Sequence, residues 1–264
     1  MATVVFVMID GMRPDGWEAA DTPVLDQLQQ RGAWTMTAQA VMPSLTLPCH
    51  TSMFYSQNPE LHGITSNTWT PMARPLPSLV DQAALYNRRC GLFHTWEQLR
   101  DMNQPGSISV SYFRKYQRGD VWGDKPVVKA AIEHLKNDNL DFVFLYFRTT
   151  DHAGHLYGWM SPEYLEQINR VDGLLGQFVA TLSDEDSILI QADHGGHERT
   201  HGTDLPEDMI VPWLVVGPNI RRNHQIKGDV NLIDTAPTLA RLLDVQPHPD
   251  WEGHCIDEAF LANE

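Results

Sequence analysis

Three aspartates stand where short apolar runs break off: Asp10 after VVFVMI, Asp151 shortly after DFVFLYFR, and Asp193 after SILIQA. A carboxylate placed directly after a buried strand is costly to desolvate unless something compensates it, and a cation is the natural compensation. Two of the three come with imidazoles. The segment TTDHAGHLYG holds Asp151 and His155 at a spacing of four, and ADHGGHERTHG holds Asp193 and His194 together, then His197 and His201. Imidazole with carboxylate suits zinc or manganese better than calcium. Each residue alone has an ordinary reading, the Asp as a helix cap and the His as a surface or core filler. The joint pattern carries the weight, because several Asp/His pairs at strand ends of one sheet converge on one edge.

Such a centre also calls for a nucleophile. MPSLTLPCHTSMF places Thr46 just before a helix start, two residues ahead of Pro48. Backbone N–H groups at a helix start favour a bound phosphate oxygen. A Thr hydroxyl beside a cation can deprotonate near neutral pH, as metal-bound water does. By itself, a Thr at this place reads as an N-cap.

The elements that must position these groups alternate in type. Residues 3–9, 141–148, 187–192 and 211–216 are apolar and β-rich, as buried strands are. Shorter strands are expected at 91–95 and 107–113. Thr22 and Pro23 open a helix that stops at Gly32, and further helices are expected over 46–55, 78–89, 126–135, 161–182 and 232–243. Strands alternating with helices imply a doubly wound α/β sheet, whose ligands sit beyond the strand ends. With no repeat or linker, residues 1–264 read as one domain.

Composition narrows the partners. The formal net charge of −15 repels polyanions, so nucleic acid is not expected as a general partner. A small anionic substrate stays open, because bound cations reverse the field inside one pocket. Three cysteines (Cys49, Cys90 and Cys255) imply no disulfide framework and favour a reducing compartment. MATVVFVMID lacks a basic leader region, and no run approaches the roughly 18 apolar residues of a membrane span. A soluble, cytoplasmic protein is expected, with no membrane partner; oligomeric state is not legible.

The ordered set Asp10, TLPCH, HGITSN, DHAGH, DHG and THG resembles the alkaline phosphatase superfamily, and most of all its nucleotide pyrophosphatase/phosphodiesterase branch. The resemblance runs from residue 4 to about 254, with TPVLDQLQQRG and IDTAPTLARLLDV as further cues. It implies a three-layer α/β/α sandwich with a mostly parallel central sheet and reduced lid insertions. It implies two divalent ions, zinc in the first place with manganese possible. One would be held by Asp151, His155 and His201, the other by Asp10, Thr46, Asp193 and His194. Thr46 would be phosphorylated transiently, and Asn67 would donate to a non-bridging phosphate oxygen. His197 is the alternative to His201; THG matches the family at His201.

The chain also departs from the branch. Leu47 stands where an aromatic ring is common and cannot stack on a base. Cys49 is not a sulfatase nucleophile, because Thr46 holds that position and His50 replaces the Arg of the sulfatase motif. A small phosphate-ester substrate is expected, and with it a phosphodiesterase acting on a small diester or a nucleotide-like pyrophosphate, on Thr46 with Asn67 and the lack of an evident Arg to grip a dianionic terminal phosphate. A phosphomonoesterase or phosphonate hydrolase on the same site, and a catalytically silent metal-binding protein, are the alternatives. Trp69, Tyr157 and Trp159 could line the leaving-group side or simply pack, and Arg13 could touch a phosphate or lie on the surface.

Overall fold

The computed structural model describes residues 2–72, 74–104 and 106–262. Strand β1 (Val4–Ile9) is apolar and buried at every position, as a strand covered on both faces must be. It lies within one sheet with β2 (Ala33–Gln39), β3 (Cys90–His94), β4 (Val110–Phe113), β5 (Phe142–Phe147), β6 (Ser187–Gln191), β7 (Ile210–Val216) and β8 (His224–Gln225). The order is β4-β3-β5-β1-β6-β7-β2-β8. Only β7 runs antiparallel to its neighbours, β6 and β2. Five adjacent strands, β4 to β6, are parallel.

The helices are α1 (Pro14–Ala19), α2 (Pro23–Arg31), α3 (Thr46–Tyr55), α4 (Pro59–His62), α5 (Leu79–Leu85), α6 (Lys125–Asn137), α7 (Thr149–Tyr157), α8 (Pro162–Val179), α9 (Pro206–Met209) and α10 (Thr235–Leu242). They form two layers around the sheet. Helices α3, α5 and α10 pack together, and α1, α2, α6 and α7 each pack on α8. On the α3 side Phe6, Phe54 and Phe144 interlock, with ring centroids 5.0–5.9 Å apart. This is the expected three-layer α/β/α sandwich. No described helix is long and apolar enough to cross a membrane.

Several elements differ from the sequence expectation. The helix expected over 78–89 ends at Leu85, and Asn87 turns the chain at φ 58°. Gly32 ends α2 in extended backbone, at φ −127°. Glycine is needed there for room, since a Cβ would stand 2.2 Å from the carbonyl oxygen of Val215. Among the elements not foreseen, two bear on the sheet and the site. Strand β2, AWTMTAQ, is weakly apolar and is drawn into the sheet by β7. Helix α7 begins where a short turn was expected. Its TTDHAGH is poor in helix formers, and its cap comes from a distant residue. Asp124, at the start of α6, accepts the N–H groups of Arg148 and Thr149 and the Thr149 hydroxyl.

Candidate metal centre

The site is built on three neighbouring parallel strands. β1 pairs with β5 on one side and β6 on the other, so Asp10, Asp151 and Asp193 leave the same sheet edge. Helix α7 puts Asp151 and His155 four residues apart on one face. His155 Nε2 lies 3.3 Å from Asp151 Oδ1, and His201 Nε2 lies 3.6 Å from the same oxygen. These three residues form one group that could hold a metal ion, and Asp10, Asp151 and His194 form a second. Asp151 thus borders both. His194 Nε2 is 3.3 Å from Asp10 Oδ1 and 3.5 Å from Asp193 Oδ2.

Thr46 is the first residue of α3, and its Oγ1 lies 3.2 Å from His194 Nε2. All seven residues expected as ligands are therefore gathered in one place. Asn67 joins them through its neighbour, since Leu47 N–H donates to Asn67 Oδ1 at 2.9 Å. The NH2 end of that carboxamide is left as the donor. His197 lies apart, with its Nδ1–H donated to Asp208 at 2.7 Å.

Whether the residues suit cations can be read from their unmet bonding. Asp10 Oδ1, Asp151 Oδ1 and Asp193 Oδ2 are buried and have no hydrogen-bond partner among the described residues. Their partner oxygens at Asp10 and Asp193 are satisfied, by the Tyr146 hydroxyl and by the N–H groups of Gly11 and His194. A buried, unpaired carboxylate oxygen is expensive unless a cation meets it. Each imidazole is oriented in the same sense. His155 donates Nδ1–H to Arg199 O, His194 to Gly195 O and His201 to Ser44 O, at 2.8–2.9 Å. That turns each Nε2 toward the carboxylates, the orientation in which metal-binding histidines are commonly held. The donor set fits one or two divalent ions.

Electrostatics agree. Burial, with Asp193 and Asp151 close by, raises the Asp10 carboxyl well above its ordinary range. Burial works against ionised Asp193 and Asp151 as well, yet the neighbouring imidazoles hold both below that range. The Asp151 carboxylate, 3.3 Å away, raises His155 to about 8, while burial and the closeness of His194 lower His201 to about 4.

Other expected contacts differ. Arg13 is occupied by Asp15 and by the carbonyl of Gly196. Tyr157 ends α7 and is exposed, whereas Trp159 is buried. Trp69 lines a cavity of about 610 Å³ with Tyr55, Met72 and Ile108. Three supporting residues have no role in the site in the sequence reading. Ser44 accepts from His201, Tyr146 donates to Asp10, and His50 sits between the Thr46 carbonyl oxygen (2.8 Å) and Asp193 (3.4 Å). The one signal was a lone hydroxyl among the phenylalanines of β5.

A family model for the Metalloenzyme superfamily matches residues 13–247. The chain belongs to this superfamily, the alkaline phosphatase-like group. Its relatives support the nucleotide pyrophosphatase/phosphodiesterase branch. Human ectonucleotide pyrophosphatase/phosphodiesterase family member 7 is 26% identical over 226 residues, covering 73% of this chain and 47% of the relative. Human GPI ethanolamine phosphate transferase 2, catalytic subunit, is 24% identical over 274 residues, covering 96% of this chain and 27% of the relative. The chain spans about half or less of the length of these curated relatives. Murine ectonucleotide pyrophosphatase/phosphodiesterase 5, solved in an inactive form in complex with AMP, has a similar fold: TM-score 0.78 at 17% identity, over 94% of this chain and 96% of that one.

Proposed function

We propose that this chain hydrolyses phosphate diesters at a two-metal site, with Thr46 as the nucleophile. The observation that carries the reading is the set of three unpaired buried carboxylate oxygens, on Asp10, Asp151 and Asp193, beside Nε2 atoms of His155, His194 and His201. Asp151, His155 and His201 would hold one ion; Asp10, Thr46, Asp193 and His194 would hold the other. Zinc is the first choice for this donor set and manganese the second. Bound there, the ions supply positive charge for phosphoryl oxygens and lower the pKa of a hydroxyl next to them.

The chain's own groups do the rest. Thr46 Oγ attacks phosphorus, the bond to one alcohol breaks, and that alcohol leaves with the proton Thr46 gives up; the phosphoryl group on Thr46 keeps its second ester. Water then cleaves the Thr46–phosphorus linkage, releasing a phosphate monoester and restoring the Thr46 hydroxyl. The Asn67 NH2 donates to a non-bridging oxygen. A diester is favoured because Arg13 is already occupied and offers no grip on a dianionic terminal phosphate. Leu47 is fully buried and gives no ring for a base to stack on. The cavity at Trp69, two residues from Asn67, is where an organic substituent would fit. We read residues 1–264 as one catalytic unit, because a single sheet runs from Val4 to Gln225. The three unpaired cysteines agree with a cytoplasmic setting.

The test joins metal analysis of purified protein to rates on bis-p-nitrophenyl phosphate and p-nitrophenyl phosphate. Two metals per chain and faster diester cleavage are expected. Faster monoester cleavage would replace the diester reading. Absence of turnover in metal-loaded protein whose melting temperature still rises with metal would make it a binding protein. Thr46→Ala should lower turnover by about 10³-fold or more while keeping both metals.

A further inference from the structure

Trp159 touches three of the four segments that carry a proposed metal ligand, all but that of Thr46. Its indole Nε1–H donates to the carbonyl of Gly11, next to Asp10, at 2.9 Å. Its ring edge lies on Gly154 of α7, between Asp151 and His155. A Cβ at Gly154 would stand 2.5–2.7 Å from indole atoms Cδ2, Cε2 and Cζ2. The same three atoms rest on Gly196, two residues past His194, where a Cβ would stand 2.2–2.6 Å away. The indole is edge-on to His155 at 5.1 Å and to His201 at 5.9 Å. Its backbone N–H donates to Glu198 O at 2.8 Å, within the loop that leads to His201.

Three separate stretches of chain thus set their spacing on one rigid, planar side chain. Two of them offer bare backbone to it, which only glycine allows at such closeness. A metal centre needs its ligands held to within about 0.5 Å. Hydrophobic burial alone would be served by any large apolar side chain, but it would not explain the bond to Gly11 or the paired glycines.

We propose that Trp159 is the positioning residue of the metal centre: it sets the distance between the Asp10, Asp151/His155 and Asp193–His201 segments, and so the affinity for the ions. This rests on the two-metal reading. The phenyl ring of Trp159→Phe loses the Gly11 bond and leaves a gap beside Gly154 and Gly196. Gly154→Ala leaves the indole intact and pushes it away. Helix propensity by itself favours Ala over Gly in α7, so an account limited to helix stability gives no reason for weaker metal binding.

The experiment is zinc competition against a chelator of known affinity, on metal-stripped wild type, Trp159→Phe and Gly154→Ala, with melting temperature and diester kinetics recorded on the same samples. The wild type should take two zinc ions. Both variants should lose about 10- to 100-fold in affinity at one site or more, with kcat falling and KM little changed. If both bind two zinc ions within twofold of wild type, the proposal is overturned, however far their melting temperatures move. If wild type itself takes up no zinc or manganese, the two-metal reading fails and this proposal with it.

Discussion

The imidazoles of His194 and His201 are stacked, with ring centroids 3.7 Å apart and planes at 11°. One ring faces Thr46 and Asp10; the other faces Asp151. The stack joins the two candidate metal groups into one body. Burial and the closeness of His194 keep His201 neutral down to a pH of about 4, so its Nε2 lone pair is available at neutral pH.

This arrangement separates His201 from His197. His201→Ala should remove one of two bound ions and most turnover. His197→Ala should keep both ions and lower only stability, because His197 serves Asp208, which also anchors the Thr203 N–H and hydroxyl. Metal counting on the two variants decides between them; loss of an ion from the His197 variant alone would reverse the assignment. Stripping ions from wild type with a chelator should lower the melting temperature. Each site filled at 100 times its Kd adds about 2.7 kcal/mol to stability.

Asp124 should matter to a site it never touches. It caps α7 from another part of the chain and is itself fully buried. Asp124→Ala leaves those donors unpaired and should cost about 2 kcal/mol in urea unfolding. Because α7 carries Asp151 and His155, zinc affinity should drop in the same variant. A stability loss under 0.5 kcal/mol would show that α7 needs no such cap.

The pH dependence of stability should bear the mark of His62. This buried ring accepts the Ile64 N–H at Nδ1 and meets Ser52 at Nε2. Burial lowers its pKa from the ordinary 6.5 to about 4. As pH falls from 6.5 the unfolded chain takes up the proton first, so the contribution is whole above 6.5 and is lost toward 4. On this basis the loss by pH 4.5 is on the order of 2–3 kcal/mol. Urea midpoints at pH 7 and 4.5, compared between wild type and His62→Gln, isolate it. An equal fall in both would rule His62 out.

The sequence was legible where local chemistry decides. The runs at β1, β5, β6 and β7 are apolar enough to be strands alone, and the Asp residues trailing β1, β5 and β6 announced the site edge. Ser161 and Pro162 mark the start of α8 in the same way. What stayed hidden depends on distant partners. Helix α7 relies on Asp124, some 25 residues earlier. The Nδ1 bond that aims His201 ends on Ser44, 157 residues away. Trp159 looked like a loop residue because nothing in its own neighbourhood records Gly11 or Gly196.

Strands β5, β1 and β6 enter the site side by side, each in fixed phase with the next. Adding one residue inside Val4–Ile9 would exchange the two faces of β1 and swing Asp10 away from its companions. The described residues that follow Asn67, 68–72 and 74–77, join no strand and keep no such phase. Changes in length should therefore be tolerated there and be ruinous in the central strands, so that natural or engineered variation in what the protein accepts is to be sought in loop size, with the metal-binding edge left as it is.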